Sequence, residues 1–290
     1  ALSARFLLQL MPASAVSGYM KLTDIYIYPI KSMGGIRLEA ANLLREGLEH
    51  DRRWMLVDGG GNFLTQRQVP ELVLIQGRMG ATGILLSHKN GQYGEVELPF
   101  EDMPDSPPFP VKVWNDEVAA STLGGPVAEW LCDVLKIKCE LVRIEKNAMR
   151  YSLKGQGGKY VSFADKHPFL IAGEASLAEV NRRMEAPVPM SRFRPNLVFS
   201  GGKAFIEDTW QEFSIGQARF KSMGLCARCK VTLVDPESGR SSGAEPLRTL
   251  DAFRKMGNEV FFGVWAMRQG ADEGLCIRIG DEVVGARGIA

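Results

Sequence analysis

The sequence has few cysteines and few histidines for its 290 residues. The five cysteines are Cys132, Cys139, Cys226, Cys229 and Cys276. An odd and sparse set of this kind is not the pattern of a secreted disulfide framework, so we expect a reducing, cytoplasmic setting. The three histidines are too few for most histidine-rich metal sites.

The chain also lacks an excess of charge of one sign. Lys and Arg total 35 against 34 for Asp and Glu, so the basic excess typical of a nucleic-acid-binding protein is missing. The apolar part of residues 1–18 is short and interrupted by Ser and Pro, which argues against a membrane span. We therefore expect no nucleic-acid partner and no membrane span, and we interpret residues 1–20 as a leader or a disordered extension.

Short strand patterns separated by turn residues dominate the rest of the chain. Residues 22–30 alternate apolar and polar side chains, which predicts a strand, and similar patterns recur along both halves. Helical spacing of apolar residues predicts helices at 124–137 and 174–184. The polar, glycine-rich stretch at 146–161 predicts a boundary between two lobes. The fold class predicted is therefore mainly β with a few helices (α+β), and we detect no internal repeat.

The segment Cys226-Ala-Arg-Cys229 is the local feature with the most chemistry. A zinc site would need a second pair of ligands, which the other cysteines do not supply. A thioredoxin-like redox pair lies where a strand enters a helix, whereas the apolar segment 230–235 predicts a strand here. A thiolate that binds a soft metal centre, with Arg228 offsetting negative charge, is a third interpretation. The simplest interpretation is two ordinary buried cysteines, and the motif alone does not decide between these interpretations.

Basic residues near predicted strand ends are candidates for binding an anion. Lys31-Ser32 offers a charge, a hydroxyl donor and adjacent glycines, but it lacks the upstream glycines of a P-loop, so ATP is not implied. An arginine of Asp51-Arg52-Arg53-Trp54 can form a forked contact with a phosphate, as can Arg67 in the segment TQRQ. A surface turn or a surface salt bridge explains each of these segments equally well.

A second basic segment, Arg192-Phe193-Arg194-Pro195-Asn196, precedes an apolar strand. Alternate residues of an extended segment point the same way, so we expect Arg192, Arg194 and Asn196 to share a face that suits an anionic, hydrogen-bonding ligand. An exposed basic edge is the alternative. His167 lies in a predicted loop, where a ligand contact or a proton donor competes with an ordinary solvated histidine.

Taken in chain order, these segments resemble the family of molybdenum cofactor sulfurase C-terminal (MOSC) domain proteins, in particular the amidoxime-reducing components and their bacterial relatives. The resemblance covers about residues 22–285, and its most specific parts are RPN, CxRC and VDPESG. The segments that carry it are YPIKS (28–32), DRRW (51–54), TQRQ (65–68), HPFLIAGEASL (167–177), FRPNLVFSG (193–201), DTW (208–210), CARCKVTLVDPESG (226–239) and EPLRTL (245–250).

The resemblance implies an N-terminal β-barrel lobe over 21–145 and a β-barrel-like MOSC lobe over 146–290. It also implies a molybdenum–molybdopterin cofactor between the lobes, with Cys229 as the metal ligand and the catalytic residue. One implied cofactor contact lies in the HPF loop, where the register of the resemblance allows Asp165, Lys166 or His167. The implied cofactor contacts are Lys31, Ser32, Arg52, Asp165, His167, Arg194, Asn196, Arg228 and Trp265.

By the same resemblance we expect a reductase of N-hydroxylated small molecules. Many bacterial relatives append a ferredoxin-like module that is absent from these 290 residues, so the electrons are expected from a separate redox protein. Ala227 stands where relatives often carry a hydroxyl group, which can remove one cofactor hydrogen bond. The alternative function is a sulfur-transfer or cofactor-binding module without substrate turnover, in which Cys229 carries a persulfide.

Overall fold

The structure, a computed structural model, describes residues 19–101, 107–145, 148, 150, 161–241, 243–270 and 274–287. Most of the leader predicted over 1–20, and most of the boundary predicted at 146–161, lie outside these residues. The described chain is mostly β with a few helices, so the predicted fold class is confirmed. Within these ranges, no helix has both the length and the apolar character needed to cross a bilayer.

The strands and helices are numbered in chain order. In the first half the strands are β1 (Lys21–Ile27), β2 (Ile36–Leu38), β3 (Ala40–Leu44), β4 (Gly47–Leu48), β5 (Trp54–Val57), β6 (Ile75–Met79), β7 (Gly83–His88), β8 (Glu95–Pro99), β9 (Phe109–Val113), β10 (Asp116–Leu123) and β11 (Glu140–Ile144). In the second half they are β12 (Phe169–Gly173), β13 (Leu197–Ser200), β14 (Trp210–Ile215), β15 (Ala218–Ala227), β16 (Lys255–Met256), β17 (Glu259–Arg268), β18 (Cys276–Arg278) and β19 (Val283–Arg287). The α-helices of the described residues are α1 (Gly125–Leu135), α2 (Glu174–Arg182) and α3 (Leu247–Phe253).

The largest sheet combines strands from both halves of the sequence. Its order among the described strands is β19-β14-β15-β17-β12-β13-β1-β2, with β16 added beside β17. Strand β1 runs antiparallel to β13, with Ile25 opposite Leu197, and β3 of the first half pairs with β18 of the second. The two halves are therefore joined by shared sheets, and the domain boundary near residue 145 stays a prediction.

A β-α-β unit forms the centre of this sheet. Strand β12 is buried along its whole length and pairs with β13 in parallel, a pairing that needs a crossover connection. Helix α2, which confirms the helix predicted at 174–184, supplies that crossover. Its residue Val180 packs in an apolar cluster with Phe193 and Phe262. This packing fixes the segment before β13, which lines the cleft described below.

A smaller sheet in the first half has the order β5-β11-β10-β9 and its own apolar core. Phe163 from the second half is fully buried in that core, which ties the loop after it to the first half. Helix α1 confirms the helix predicted at 124–137 and begins with Pro126 in its first turn. It ends at Lys136, whose left-handed conformation (φ 55°) turns the chain back toward β11.

The strand predicted over 230–235 is wrong. Residues Lys230–Leu233 form a 3₁₀ turn instead, because the Thr232 N–H and hydroxyl both donate to the carbonyl oxygen of Cys229, at 3.0 Å and 2.9 Å. A threonine side chain that bonds back to the chain competes with a strand ladder in this way. Because no strand follows Cys229 directly, the local fold does not exclude a redox pair on the ground of a following strand.

The shared face predicted for Arg192, Arg194 and Asn196 is also wrong. Residues Met190–Phe193 form a 3₁₀ turn and Arg194 is left-handed (φ 52°), so the segment does not alternate as an extended strand would. Arg192 points away from the others, and its guanidinium donates to the Thr232 carbonyl and to Asp235, both at 3.1 Å. Arg192 thus anchors the 3₁₀ turn after Cys229.

Candidate functional site

A cleft lies where loops from the two halves of the chain meet, and it encloses about 780 Å³ of space, part of it open to solvent. Nine of the ten predicted site residues line it: Lys31, Ser32, Arg52, Asp165, His167, Arg194, Arg228, Cys229 and Trp265. The structure thus gathers residues that lie up to 234 positions apart (265 − 31) in one place. The tenth, Asn196, lies behind the wall.

Cys229 follows β15 and precedes the 3₁₀ turn, so its backbone is fixed on both sides. Thr232 closes the turn by donating to the carbonyl oxygen of Cys229, and the backbone of Cys229 is extended (φ −129°, ψ 178°). Its side chain is half-buried and lines the cleft. A sulfur held this way can bind a soft metal from inside the cleft.

The guanidinium nearest to this sulfur belongs to Arg67, in the TQRQ segment of the first half. Its Nη2 donates to Cys229 Sγ at 3.2 Å. The Arg67 guanidinium also stacks over the Trp114 ring at 4.5 Å, and the Trp114 indole N–H donates to Asp165 at 3.1 Å. Arg67 and Trp114 are exposed, so they form the open side of the cleft beside Cys229.

Lys31 crosses from the first half to the loop that follows Phe163. Its ammonium donates to the Phe163 carbonyl at 2.8 Å and forms a short ion pair with Asp165. Burial lowers the pKa of Lys31, and Asp165 opposes this shift. Desolvation raises the pKa of Asp165, but the Lys31 ammonium outweighs it and holds that pKa well below its usual range. The half-exposed Asp165 carboxylate is thus ionised and holds Lys31 at the wall of the cleft.

Arg150 fixes the loop that carries Asp165. Its buried guanidinium pairs with Asp116 at 3.0 Å and donates to the carbonyl oxygens of Ala164 and, at 3.2 Å, Asp165. Arg150 thereby sets the position of this loop relative to the β9–β10 hairpin.

Arg52 and Arg194 both pack against the Tyr28 ring, with guanidinium carbons 4.3 Å and 4.2 Å from its centre. Burial raises the pKa of Tyr28 to about 12, so the ring stays neutral between the two cations. Burial also lowers the pKa of Arg194 to about 10, which leaves it charged at neutral pH. The stack therefore presents one cation from each half of the chain to the same cleft.

Left-handed backbone conformations recur around this stack. Ser32, Arg52, Trp114 and Arg194 all have positive φ, between 49° and 70°. Residues other than glycine adopt this conformation at a cost, and such positions cluster at functional sites where the surrounding structure holds them. Sharp turns at these positions aim each side chain into the cleft from a strand end.

Asn196 supports the site from behind. Its side chain accepts a hydrogen bond from Arg52 at 3.0 Å and donates to the Tyr26 carbonyl at 3.0 Å, and the residue is almost fully buried. The direct ligand contact predicted for Asn196 stays a prediction. In this structure its side-chain amide holds Arg52 and β1.

Arg228 contacts the other cysteine of the motif rather than the one predicted. Its Nη1 donates to Cys226 Sγ at 2.8 Å and its Nη2 to the Phe193 carbonyl at 2.8 Å. Burial raises the pKa of the Cys226 thiol, and Arg228 opposes that rise. We predicted that Arg228 offsets negative charge on the metal-binding thiolate. The guanidinium that donates to Cys229 belongs instead to Arg67, which the sequence had marked only as a possible phosphate contact.

The remaining predicted residues complete the walls. His167 is buried, with its ring 6.0 Å from that of Trp265, which projects from β17. The carbonyl of Ser32 accepts a hydrogen bond from Gln66 at 2.5 Å, so the YPIKS and TQRQ segments are joined directly. This contact places Arg67 near Cys229.

The balance of charge in the cleft favours an anionic guest. Among the described residues that line it, the cations Lys31, Arg52, Arg67, Arg194 and Arg228 face the single carboxylate of Asp165. The buried Nε of Arg228 has no hydrogen-bond partner within the described chain. In the same ranges no group of three His, Cys, Asp or Glu side chains could hold a metal ion. A metal at Cys229 would therefore take its other ligands from a bound molecule.

Known proteins match the chain over almost its whole described length. The MOSC N-terminal beta barrel domain matches residues 19–138, and the MOSC domain matches residues 158–284. Mitochondrial amidoxime-reducing component 1 of Mus musculus is 34% identical over 243 residues, which cover 80% of this chain and 71% of that protein. The protein of the same name from Homo sapiens is 34% identical over 248 residues, or 81% and 72% of the two chains.

A further relative is named for a different activity. Molybdenum cofactor sulfurase of Arabidopsis thaliana is 31% identical over 296 residues, which cover 92% of this chain but 35% of that protein. The order of motifs, the two matched domains and the identities agree with the resemblance inferred from the sequence. The chain belongs to the MOSC domain family and combines an N-terminal MOSC β-barrel domain with a MOSC domain.

Proposed function

We propose that this protein binds a molybdenum–molybdopterin cofactor in the cleft and reduces N-hydroxylated small molecules. The observation that carries the proposal is that the Cys229 sulfur shares one cleft with Lys31, Arg52 and Arg194. A thiolate is a soft, anionic ligand suited to a redox-active transition metal. Cations from separate segments suit the phosphate of a pterin cofactor.

The residues present fit such a group. Five cations against one carboxylate leave the cleft positive, and an orphaned Arg228 Nε is buried beside it. Lys31, Arg52 and Arg194 would hold the anionic part of the cofactor, and Cys229 would hold the metal. When bound, the cofactor supplies the two-electron chemistry that removes oxygen from a substrate.

The protein's own part is positioning and charge. Asp165 holds Lys31 in place, the Tyr28 ring packs against Arg52 and Arg194, and the Cys229 backbone is fixed by its 3₁₀ turn. The exposed pair Arg67 and Trp114 borders the open side, where a small substrate would enter. Fixed charges that need no rearrangement are the kind of contribution that lowers a reaction barrier.

The names of the relatives support the same activity. Amidoxime-reducing components are similar to this chain over about 80% of its length, and their names describe the reduction of amidoximes. The proposal includes a separate electron-donor protein. It also keeps the reducing, cytoplasmic setting inferred from the cysteines, although these relatives are named as mitochondrial.

A sulfur-transfer or carrier role is the second candidate. The similarity to molybdenum cofactor sulfurase over 92% of the chain favours it, although the match spans about a third of that protein. Cys229 would then carry a persulfide, with Arg67 beside the outer sulfur.

One experiment separates the two functions. The protein is produced in a host that makes the cofactor, analysed for molybdenum, and supplied with benzamidoxime and a chemical electron donor. The reductase proposal expects about one molybdenum per chain, given a single ligand cysteine, and formation of benzamidine. A metal-free chain that accepts labelled sulfur at Cys229 and forms no benzamidine would support the carrier instead and contradict the reductase.

A further inference from the structure

Outside the cleft, two thiols face each other at the end of α1. Cys132 lies in the last turn of α1 and Cys139 directly precedes β11, with six residues between them. The left-handed Lys136 turns the chain back, and this reversal brings the sulfur atoms to 3.5 Å from each other. Both side chains are half-buried, so a small reagent can reach the pair.

We propose that Cys132 and Cys139 form a reversible intramolecular disulfide when a hydroperoxide oxidises them, at a modification site separate from the cleft. The S–S bond of a disulfide is about 2.05 Å long, so the sulfur atoms need to approach by only about 1.5 Å. Within the described chain, neither cysteine is among the residues that line the cleft.

The chemistry needs one hydroperoxide for each disulfide. The Cys132 sulfur attacks the peroxide, the O–O bond breaks, and Cys132 sulfenic acid and an alcohol are formed. The thiol proton of Cys132 passes to that alcohol. The Cys139 sulfur then attacks the Cys132 sulfur, the new S–S bond forms, and the hydroxyl group of the sulfenic acid leaves as water with the thiol proton of Cys139. The two thiols lose two electrons, which the peroxide accepts, and a dithiol reductant reverses the change.

The surroundings assign the order of these steps. Burial raises the pKa of the Cys139 thiol well above its usual range, and the neighbouring Cys132 adds to the rise. Cys139 therefore attacks a dissolved peroxide poorly, whereas in the resolving step it attacks a sulfur that it already contacts at 3.5 Å, so we assign the first attack to Cys132. The Cys132 thiol donates to the Cys139 carbonyl at 3.1 Å, which keeps its sulfur beside the partner.

The other close pair in the sequence has different neighbours. In the CxRC motif, Cys226 accepts a hydrogen bond from Arg228 and Cys229 accepts one from Arg67. Each of these sulfurs is thus held by its own guanidinium. Cys276 is exposed and provides a reference thiol for the delivery of the oxidant.

The test is a peptide map of the oxidised full-length protein. The reduced chain is treated with tert-butyl hydroperoxide, its remaining thiols are alkylated, and the digest is analysed by mass spectrometry. We expect a linked peptide that contains Cys132 and Cys139, lighter by two hydrogen atoms and lost on treatment with dithiothreitol. Oxidised Cys276 alongside fully alkylated Cys132 and Cys139 would overturn the proposal, as would links formed mainly between chains.

Two serine variants sharpen the test. Cys139→Ser should stop at the sulfenic acid of Cys132 and proceed to the sulfinic acid with more peroxide, because no resolving thiol is left. The matched control Cys276→Ser should form the Cys132–Cys139 link at the rate of the unsubstituted protein. The assignment would be contradicted if Cys132 formed a disulfide with another cysteine at the same rate in Cys139→Ser. Loss of the Cys132–Cys139 link in Cys276→Ser would also contradict it. Each result is read from peptide masses, so it does not depend on cofactor or on reductase activity.

Discussion

Cys226 and Cys229 are separated by two residues and Cys132 and Cys139 by six, yet the second pair has its sulfur atoms in contact at 3.5 Å. In the first pair, Arg228 donates to one sulfur and Arg67 to the other. The CxRC sulfurs face cations at the cleft, and the other two face each other at the end of a helix. Spacing along the chain is therefore a poor guide to cysteine chemistry, and the neighbouring groups decide it.

The comparison also separates the two cysteines of the CxRC motif. Cys229 is half-buried and lines the cleft close to the exposed Arg67, while Cys226 is buried and its pKa is raised by that burial. A metal ligand must lose its proton and be reachable from the cleft. Both sulfurs line the cleft, but burial disfavours the thiolate of Cys226 and Cys229 is the less buried of the two, which supports the choice of ligand.

The largest expected effect is that of Cys229→Ser on reductase activity. Substitution of groups that only support a metal ligand costs about 10–100-fold, so loss of the ligand itself should cost at least about 100-fold. Cys226→Ser is the matched control and should cost no more than about 10-fold. The measurement is the rate of benzamidine formation, with circular dichroism to confirm the fold. Equal losses in both variants would remove the distinction drawn between the two sulfurs.

Lys31→Met should have the next largest effect, because it removes a buried cation from the cleft that Cys229 also lines. A hydrogen bond to a charged group contributes about 1.5–3 kcal/mol, which corresponds to about a 10–150-fold loss of affinity for an anion. Inorganic pyrophosphate serves as the probe in calorimetry of the cofactor-free protein. Lys166→Met, at an exposed lysine of the neighbouring loop, is the control and should leave the affinity nearly unchanged. A larger loss in the control would show that the anion binds elsewhere.

The pH dependence of pyrophosphate binding tests the same charges. Lys31 and Arg194 are cationic below their pKa values, and burial lowers both values, to about 10 for Arg194. Binding should therefore weaken as the pH rises toward 10, at a lower pH than ordinary lysine and arginine side chains would give. Asp165 raises the pKa of Lys31, so Asp165→Asn should move this loss to a still lower pH. An unchanged alkaline profile in Asp165→Asn would contradict the coupling of the two side chains.

The smallest effect is expected from Cys132→Ser. Cys132 lies outside the residues that line the cleft, so the variant should bind pyrophosphate as the unsubstituted protein does, within about twofold, while it loses the peroxide-dependent disulfide. Calorimetry and the peptide map together give both results. A clear loss of pyrophosphate binding would mean that the two cysteine regions are coupled.

Much of this arrangement could be predicted from the sequence. The order of short motifs identified the family, the helical spacing at 174–184 located α2, and the ordered set of basic segments marked most of the cleft. These features depend on local periodicity or on the order of short motifs, both of which can be read directly from the sequence.

The rest depended on tertiary contacts and on backbone conformation. Arg67 reaches Cys229 across a separation of 162 residues, through the contact between Gln66 and Ser32, which no spacing rule reveals. Arg194 has a left-handed backbone, so the alternation assumed for an extended segment failed and Asn196 turned inward. Trp114 follows the strand β9 at a tight turn. The Asn-Asp pair after it predicted that turn, but nothing in the sequence indicated that Trp114 lines the cleft.

The central claim is that a single protein sulfur, that of Cys229, holds the metal in this cleft. The most direct measurement is the molybdenum content per chain of the unsubstituted protein and of Cys229→Ser, both purified from a host that makes the cofactor. The account predicts about one molybdenum atom per chain in the former and a strongly reduced content in the latter, since loss of a ligand weakens metal binding. Equal molybdenum in the two proteins, with both correctly folded, would contradict it.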